Sequence, residues 1–196
     1  RYPGDASALA ARMAAVYGAP AERVLPVRGL THGLELAYRL AARDGGSVEA
    51  PNAEPYDSLA AIYPAKGEPA PEASIVVIRA LGSPEAVAEM AARVAPTLLV
   101  VDEGLIEFSD SVSAVTVVAD QPNLVVLRSL SLAYGLAGAR VGAAIAQTQT
   151  LARLASVLEP YALPEPLVRL AMQALDPSRM LETTARIATV RAERER

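Results

Sequence analysis

Four side chains in the second half of the chain are suited to holding a charged ligand: Asp102, Ser129, Ser131 and Arg140. A guanidinium can grip a phosphate through two hydrogen bonds, hydroxyl groups add further donors, and a carboxylate can bind a protonated nitrogen. Asp102 and Ser129 each stand at the end of an apolar run that predicts a buried strand. Ligands of open parallel sheets bind at the carboxyl ends of the strands, so this spacing predicts one binding edge.

A second candidate for anion binding is the turn formed by Gly29, Leu30 and Thr31, which precedes a predicted helix that Thr31 could cap. The N–H groups of a first helical turn lack partners within the helix, so they can bind phosphate whatever side chains they carry. His32 follows at the start of this helix, and we interpret it as a solvated helix-start residue rather than a catalyst.

Each candidate also has an interpretation that needs no ligand. Asp102 could cap the turn after its strand, and Arg140 could be a plain surface or interface residue. Ser129 and Ser131 are residue types that are common in turns. Lys66 is the only lysine of the chain and lies in a proline-containing stretch, so we interpret it as a solvated loop charge.

Short apolar strands alternate with helices along the chain, which predicts an α/β fold with a mostly parallel, mixed sheet between two helical layers. The predicted strands are 24–27, 48–51, 75–78, 97–101, 124–127 and 141–145. The predicted helices are 6–17, 31–42, 56–63, 83–94, 148–158, 164–175 and 178–196. The expected organisation is one domain over 1–175, followed by a helix over 176–196.

Composition excludes several classes of function. The 196 residues carry a net charge of -4 without a strong basic run, which argues against nucleic-acid binding. The chain has no cysteine and one histidine, so thiolate or histidine metal sites are not expected. No apolar run is long enough to span a membrane, and we expect a cytoplasmic protein.

The run from Val125 to Gly142 resembles the cofactor-lysine segment of fold-type-I pyridoxal-phosphate aminotransferases, in the histidinol-phosphate aminotransferase branch. The segments Val100–Glu103 and Arg1–Pro3 match the same family in the same order. In that family the position of Leu132 holds the lysine that forms a Schiff base with the cofactor. The resemblance therefore implies the three-layer large domain of an aminotransferase and a catalytic position that carries no nitrogen.

The same resemblance assigns cofactor roles to the candidates above. It implies that Asp102 pairs with the protonated pyridine nitrogen, and that Ser129, Ser131 and Arg140 bind the cofactor phosphate. It implies that Tyr2 reaches the phosphate of the other subunit of a homodimer. Leu30 and Thr31 remain candidates for phosphate binding through their backbone N–H groups.

The chain departs from the family at several further places. Leu105 stands where a tyrosine donates to the phenolic oxygen of the cofactor, and Ala53 stands where an aromatic ring stacks on the pyridine. The segment 79–84 replaces an Asn-Pro-x-x-Pro-Thr-Gly loop whose Asn binds the same oxygen. The stretch between Tyr56 and Ile75 is shorter, and the chain ends where the small C-terminal domain of the family begins.

These observations lead to two expectations about function. The first is a histidinol-phosphate-type aminotransferase homologue that moves an amino group between an amino acid and a 2-oxo acid with pyridoxal phosphate, catalytically impaired by Leu132. The alternative is a non-catalytic pseudoenzyme that binds a small amino-acid or phosphate-bearing ligand, or that acts as a dimer or regulatory partner. Segments of the natural chain could also be missing from the sequence.

Overall fold

The computed structural model describes residues 6–64, 74–79, 82–194 and 196. A six-stranded sheet lies between two layers of helices, which confirms the predicted α/β fold. The strands are β1 (Val24–Val27), β2 (Val48–Glu49), β3 (Ile75–Arg79), β4 (Leu98–Asp102), β5 (Leu124–Ser129) and β6 (Gly142–Ala146). The helices are α1 (Ser7–Tyr17), α2 (Gly29–Asp44), α3 (Tyr56–Ile62), α4 (Pro84–Val94), α5 (Thr148–Ala155), α6 (Glu165–Ala174) and α7 (Pro177–Arg194).

The sheet is mixed but mostly parallel, as predicted. Its strand order is β1-β6-β5-β4-β3-β2, in which β2, β3, β4 and β5 run parallel and β6 pairs antiparallel with both β5 and β1. The central strands β5 and β6 are buried along their whole length, and all but the last residue of β4 is buried. Burial on both faces explains their unbroken apolar sequences.

Two hydrophobic cores cover the two faces of the sheet. Successive residues of β4 point to opposite faces, so Leu99 belongs to one core and Val100 to the other. Leu9 of α1, Val87 of α4 and Ala171 of α6 pack in the first core. The second core is formed mainly by α2, α3 and α5.

The structure corrects several predicted boundaries. Helix α2 begins at Gly29, so Thr31 lies within its first turn and does not cap it. The second strand is only Val48–Glu49, because its one described neighbour is the start of β3. Short 3-10 helices at Ile106–Phe108, Ala114–Val117 and elsewhere were not predicted, since such segments lack a clear hydrophobic period.

The topology gathers the carboxyl ends of three parallel strands at one edge of the sheet. Arg79 at the end of β3 is the register partner of Asp102 at the end of β4, and Asp102 in turn pairs with Leu127 of β5. Ser129 ends β5 opposite Gly142, where β6 begins. This edge therefore carries the residues that the sequence singled out.

Helix α7 packs back against the loop that follows β4. Arg191 forms an ion pair with Asp110, and the guanidinium of Arg194 donates to the carbonyl oxygen of Phe108 at 2.9 Å. Among the helices of the described ranges, none is both long and apolar enough to cross a membrane.

Candidate functional site

The first turn of α2 and Arg140 together form a cradle with exposed hydrogen-bond donors. Gly29 has a φ of 76°, and a Cβ at this position would lie 3.0 Å from Nη2 of Arg140. A Cβ on Gly142 would lie 3.1 Å from the Cα of Gly29 and 2.5 Å from the carbonyl oxygen of Arg128. Glycine at both positions therefore lets the start of β6 and the guanidinium approach the helix N-terminus closely.

No side chain caps α2 at its N-cap residue, Arg28. The early N–H groups of a helix lack intrahelical partners and carry the positive end of the helix dipole. Leu30 and Thr31 lie in this turn and are partly exposed. The structure thus places these two predicted residues beside Arg140, where their amides can contribute to binding an anion.

Arg140 is exposed and held only loosely by the protein. Its Nη1 donates to Oγ of Ser131 at 3.4 Å and to the carbonyl oxygen of Ala137 at 3.5 Å, both long contacts. Ser129 is buried, and its Oγ accepts a hydrogen bond from the N–H of Ser131 at 3.1 Å. The structure brings Arg140 and Ser131 together. The hydroxyl of Ser129 stabilises the turn from Ser129 to Ser131.

Asp102 is half-buried at the end of β4 and accepts two hydrogen bonds. The hydroxyl of Tyr56 donates to Oδ2 at 2.5 Å, and the N–H of Gly104 donates to Oδ1 at 2.9 Å. The second bond is the turn-capping role considered above. A carboxylate can accept about four hydrogen bonds, so these two leave capacity for a protonated ligand nitrogen.

The Asp102 turn and the anion cradle are adjacent. A Cβ on Gly104 would lie 2.8 Å from Cδ1 of Leu30, so the second residue of α2 touches the turn that Asp102 caps. One ligand could therefore present a phosphate to Arg140 and a cationic nitrogen to Asp102.

The three positions that the sequence analysis marked as departures, Ala53, Leu105 and Leu132, carry apolar side chains. Leu132 directly follows Ser131 and is 57% exposed, and Leu105 is 62% exposed. Ala53 is partly buried against the core that α2 and α3 share. None of the three side chains can act as a nucleophile or donate a hydrogen bond.

Tyr56 and Arg79 belong to the site, although the sequence analysis did not propose them as functional. Tyr56 is buried, and its hydroxyl binds Asp102. Burial raises the pKa of Tyr56 to about 12, and the hydrogen bond to Asp102 acts in the same direction. Arg79 is exposed, with its guanidinium carbon 5.5 Å from the centroid of the Tyr56 ring.

His32 is not solvated, contrary to the interpretation from sequence, because it is only 3% exposed. Its Nδ1 accepts a hydrogen bond from the backbone N–H of Arg28 at 3.0 Å, and its Nε2 lies 3.2 Å from Oε2 of Glu159. Burial lowers the pKa of His32, which favours the neutral ring that these contacts require. His32 therefore fixes the start of α2.

Glu159 joins His32 to two arginines, Arg28 and Arg39. Burial raises the pKa of this carboxyl, but hydrogen bonds and the charges of its partners outweigh burial and lower the pKa to about 2. The cluster ties the N-terminus of α2 to the segment after α5.

Two residues considered from sequence, Tyr2 and Lys66, lie outside the described residues. Within the described ranges, no group of three or more histidine, cysteine, aspartate or glutamate side chains is arranged to hold a metal ion.

Comparison with known proteins connects this geometry to one family. The family model for aminotransferase class I and II matches residues 81–196. A histidinol-phosphate aminotransferase of Xanthomonas campestris pv. campestris is 32% identical over 230 residues, covering 100% of this chain and 64% of the relative. The enzyme of the same name from Stenotrophomonas maltophilia is 48% identical over 99 residues, which are 50% of this chain and 27% of that protein.

The chain is therefore shorter than these relatives. It spans 64% of the Xanthomonas protein, and the 230 residues of that aligned span exceed the 196 residues of the chain. The relative consequently carries additional residues within the matched region.

Solved structures of aminotransferases share the fold. Histidinol-phosphate aminotransferase from Sinorhizobium meliloti, solved in complex with pyridoxal-5'-phosphate, matches 96% of this chain and 60% of its own with a TM-score of 0.79 and 22% identity. An aminotransferase from Mycobacterium tuberculosis matches 100% of this chain and 61% of its own with a TM-score of 0.77 and 20% identity.

Proposed function

Because the chain belongs to the aminotransferase class I and II family, we propose that it derives from a histidinol-phosphate-type aminotransferase and has kept noncovalent binding of pyridoxal phosphate without efficient transamination. The observation that carries this proposal is the geometry of one sheet edge. There the anion cradle of Gly29 and Arg140 adjoins the carboxylate of Asp102, while Leu132 offers no amine.

The residues present fit the cofactor as a noncovalent ligand. Because Gly29 has no side chain, the guanidinium of Arg140 lies close to the N-terminus of α2, where a phosphate could contact both. Arg140, the hydroxyl of Ser131 and the amides of Leu30 and Thr31 would hold that phosphate. Asp102 would hold the pyridine nitrogen in its protonated form, and Tyr56 and Gly104 fix the orientation of its carboxylate.

When bound, pyridoxal phosphate supplies an electron-withdrawing ring that stabilises negative charge on a substrate carbon. This chain provides the charge partners for the ring and the phosphate. It lacks two things at the position of Leu132: an amine for the covalent link, and a base that moves the substrate proton. We therefore expect the chain to bind pyridoxal phosphate without catalysing transamination efficiently.

The second candidate is a pseudoenzyme whose ligand is any small phosphate-bearing anion, or whose role is to pair with another subunit. The two long hydrogen bonds of Arg140 favour this second candidate, because a weakly held guanidinium can adjust to phosphate groups on ligands of different shapes. We propose a homodimer for either candidate, with Tyr2 near the partner's cleft, and a cytoplasmic location. The expected division into a domain over 1–175 and a helix over 176–196 leading to a small domain belongs to the same proposal.

The experiment that tests the proposal is calorimetry with pyridoxal phosphate, pyridoxal and inorganic phosphate. Tighter binding of pyridoxal phosphate than of either fragment supports a cofactor site, and equal weak binding of pyridoxal phosphate and phosphate supports the anion-binding alternative. Binding of none of them contradicts both ligand proposals and leaves the pairing role.

Because the sequence contains one lysine, a covalent link to pyridoxal phosphate can be assigned to a particular amine. Borohydride reduction followed by peptide mass analysis can label only Lys66 or the N-terminal amine. We expect no specific labelling. Stoichiometric labelling of Lys66 with transaminase activity would show that a different amine had taken over the catalytic role.

A further inference from the structure

Arg79 is a cation at the candidate site for which neither the family comparison nor the cradle accounts. It is the last residue of β3 and the register partner of Asp102 on the neighbouring parallel strand. Adjacent strands lie about 4.8 Å apart, so a positive and a negative side chain leave the sheet edge side by side. The two charges are therefore placed to bind two oppositely charged groups that lie close together on one ligand.

The side chain of Arg79 leans toward the site. Its guanidinium carbon lies 5.5 Å from the centroid of the Tyr56 ring, and the hydroxyl of that ring donates to Asp102. Tyr56 is buried, so it offers a fixed surface against which the guanidinium rests. This contact holds the arginine next to Asp102.

The hydroxyl of Tyr56 and the charge of Asp102 raise the pKa of Arg79, but its guanidinium forms no ion pair with any residue that the structure describes. Within the ranges that the structure describes, no carboxylate lies within salt-bridge distance of Arg79, whereas Arg28, Arg39 and Arg128 all have acidic partners. Asp102 directs its two oxygens to Tyr56 and Gly104. A guanidinium carries five N–H donors, so those of Arg79 that do not face the hydroxyl of Tyr56 remain available to an anionic oxygen from outside the chain.

We propose that Arg79 is a specificity-determining residue that binds an anionic ring oxygen of the ligand, a phenolate on the ring carbon meta to the protonated nitrogen that Asp102 holds. This inference rests on the proposed function, since it assumes a phosphorylated hydroxypyridine in the site. A phenolate on the same ring satisfies the spacing, because Arg79 and Asp102 stand on neighbouring strands in register. The full ligand then meets alternating charges: Arg79, Asp102 and Arg140.

The probe for this proposal is 4-deoxypyridoxine 5'-phosphate, which has the phosphate, the ring nitrogen and the phenol but no aldehyde. It cannot form a covalent link to any amine, so lysine variants can be compared directly. Its absorbance reports whether the phenol is ionised, which gives a readout independent of catalysis. The measurement is a pH titration of the bound probe with the full chain.

We expect the phenol of the bound probe to ionise at a lower pH than in Arg79→Met, by about one pH unit or more, because an opposite charge within a few ångströms favours the ionised form. Arg79→Lys should retain part of this shift. Arg140→Met should weaken probe affinity without moving the ionisation midpoint. Arg153→Met, which removes an exposed arginine from α5, should change neither quantity.

A second measurement uses the same pyridine phosphate without its hydroxyl group. Wild-type protein should bind this probe about tenfold more weakly than the phenolic probe, and Arg79→Met should bind the two equally. Equal midpoints in wild type and Arg79→Met, or equal discrimination by both, would overturn the role of Arg79 while leaving cofactor binding intact. Failure of wild-type protein to bind either probe would overturn this inference together with the cofactor site.

Discussion

Replacing Leu132 by lysine is the most direct test of whether one residue separates this chain from a functional cofactor site. Leu132 is 57% exposed, so less than half of its side chain is buried. Burying a whole leucine contributes about 1.5–3 kcal/mol, so the apolar contacts at stake amount to about 1 kcal/mol. The aliphatic stem of lysine recovers part of this, and its ammonium can reach water. We therefore expect Leu132→Lys to fold with nearly unchanged stability.

The expected gain is a covalent link with pyridoxal phosphate, because in the proposed site Asp102 holds the ring and Arg140 holds the phosphate. The gain should be partial. One missing hydrogen bond to the phenolic oxygen, at the position of Leu105, costs about 1.5–3 kcal/mol, and the missing stack at Ala53 costs about 0.5–1.5 kcal/mol. Together these predict affinity weaker than that of an intact relative by about thirtyfold to two-thousandfold.

The assay combines visible absorbance after addition of pyridoxal phosphate with borohydride reduction and peptide mass analysis. Leu132→Met and Leu132→Arg are the matched controls, since one keeps the apolar volume and the other adds a charge that cannot form an imine. Equal affinity gains in the lysine and arginine variants would show that charge alone acts. A folded lysine variant without a borohydride-sensitive band would refute the geometry inferred for this edge.

Four further substitutions test individual parts of the structure. Gly29→Ala should abolish phosphate binding in calorimetry and cost about 1–2 kcal/mol in urea unfolding, because its φ is 76° and the new Cβ would meet Arg140 at 3.0 Å; normal phosphate binding would contradict the cradle. Asp102→Asn should weaken pyridoxal phosphate but not inorganic phosphate, and parallel losses would contradict the assignment of Asp102 to the ring nitrogen. Arg128→Met should destabilise the fold by about 3–5 kcal/mol, because it leaves the carboxylates of Glu103 and Glu107 without their cation. Arg153→Met is the control. Equally small losses of stability in the two variants would refute the role of the buried ion pairs of Arg128. The folded-state pKa of Glu159 is lowered from 4.5 to about 2, so its contribution to stability is present above pH 4.5 and is lost as the pH falls toward 2. Glu159→Gln should therefore reduce the dependence of the urea-unfolding free energy on pH in that window. The same pH dependence in the variant and in wild type would contradict the assigned pKa.

The strands were predictable because their chemistry is local. Runs such as Leu98–Val101 and Leu124–Leu127 are apolar without alternation, which occurs when both faces of a strand are covered. The start of α2 was predicted two residues late, since it lies at Gly29, which has a positive φ and packs closely against Gly142. That contact joins distant parts of the chain and leaves no signal in the local sequence.

The site was predictable where it follows strand ends, as for Asp102 and Ser129. The partner of Asp102 was not, because Tyr56 lies 46 residues earlier in the chain. His32 was misjudged for a similar reason. Its side-chain partner, Glu159, lies 127 residues away in the chain. Arg79 could have been found, since it directly follows an apolar run and so meets the strand-end criterion that selected Asp102.

The structure also separates residues that the fold itself requires from residues that only a ligand explains. Asp102 accepts a hydrogen bond from the N–H of Gly104, and Ser129 accepts one from the N–H of Ser131. Both residues therefore stabilise the fold even without a ligand. The side chain of Arg140 makes two hydrogen bonds to described residues, of 3.4 and 3.5 Å, too long to contribute much stability. Arg140 is therefore the residue whose presence argues most strongly for a bound anion, and phosphate binding by Arg140→Met compared with wild type is the most discriminating measurement on this edge.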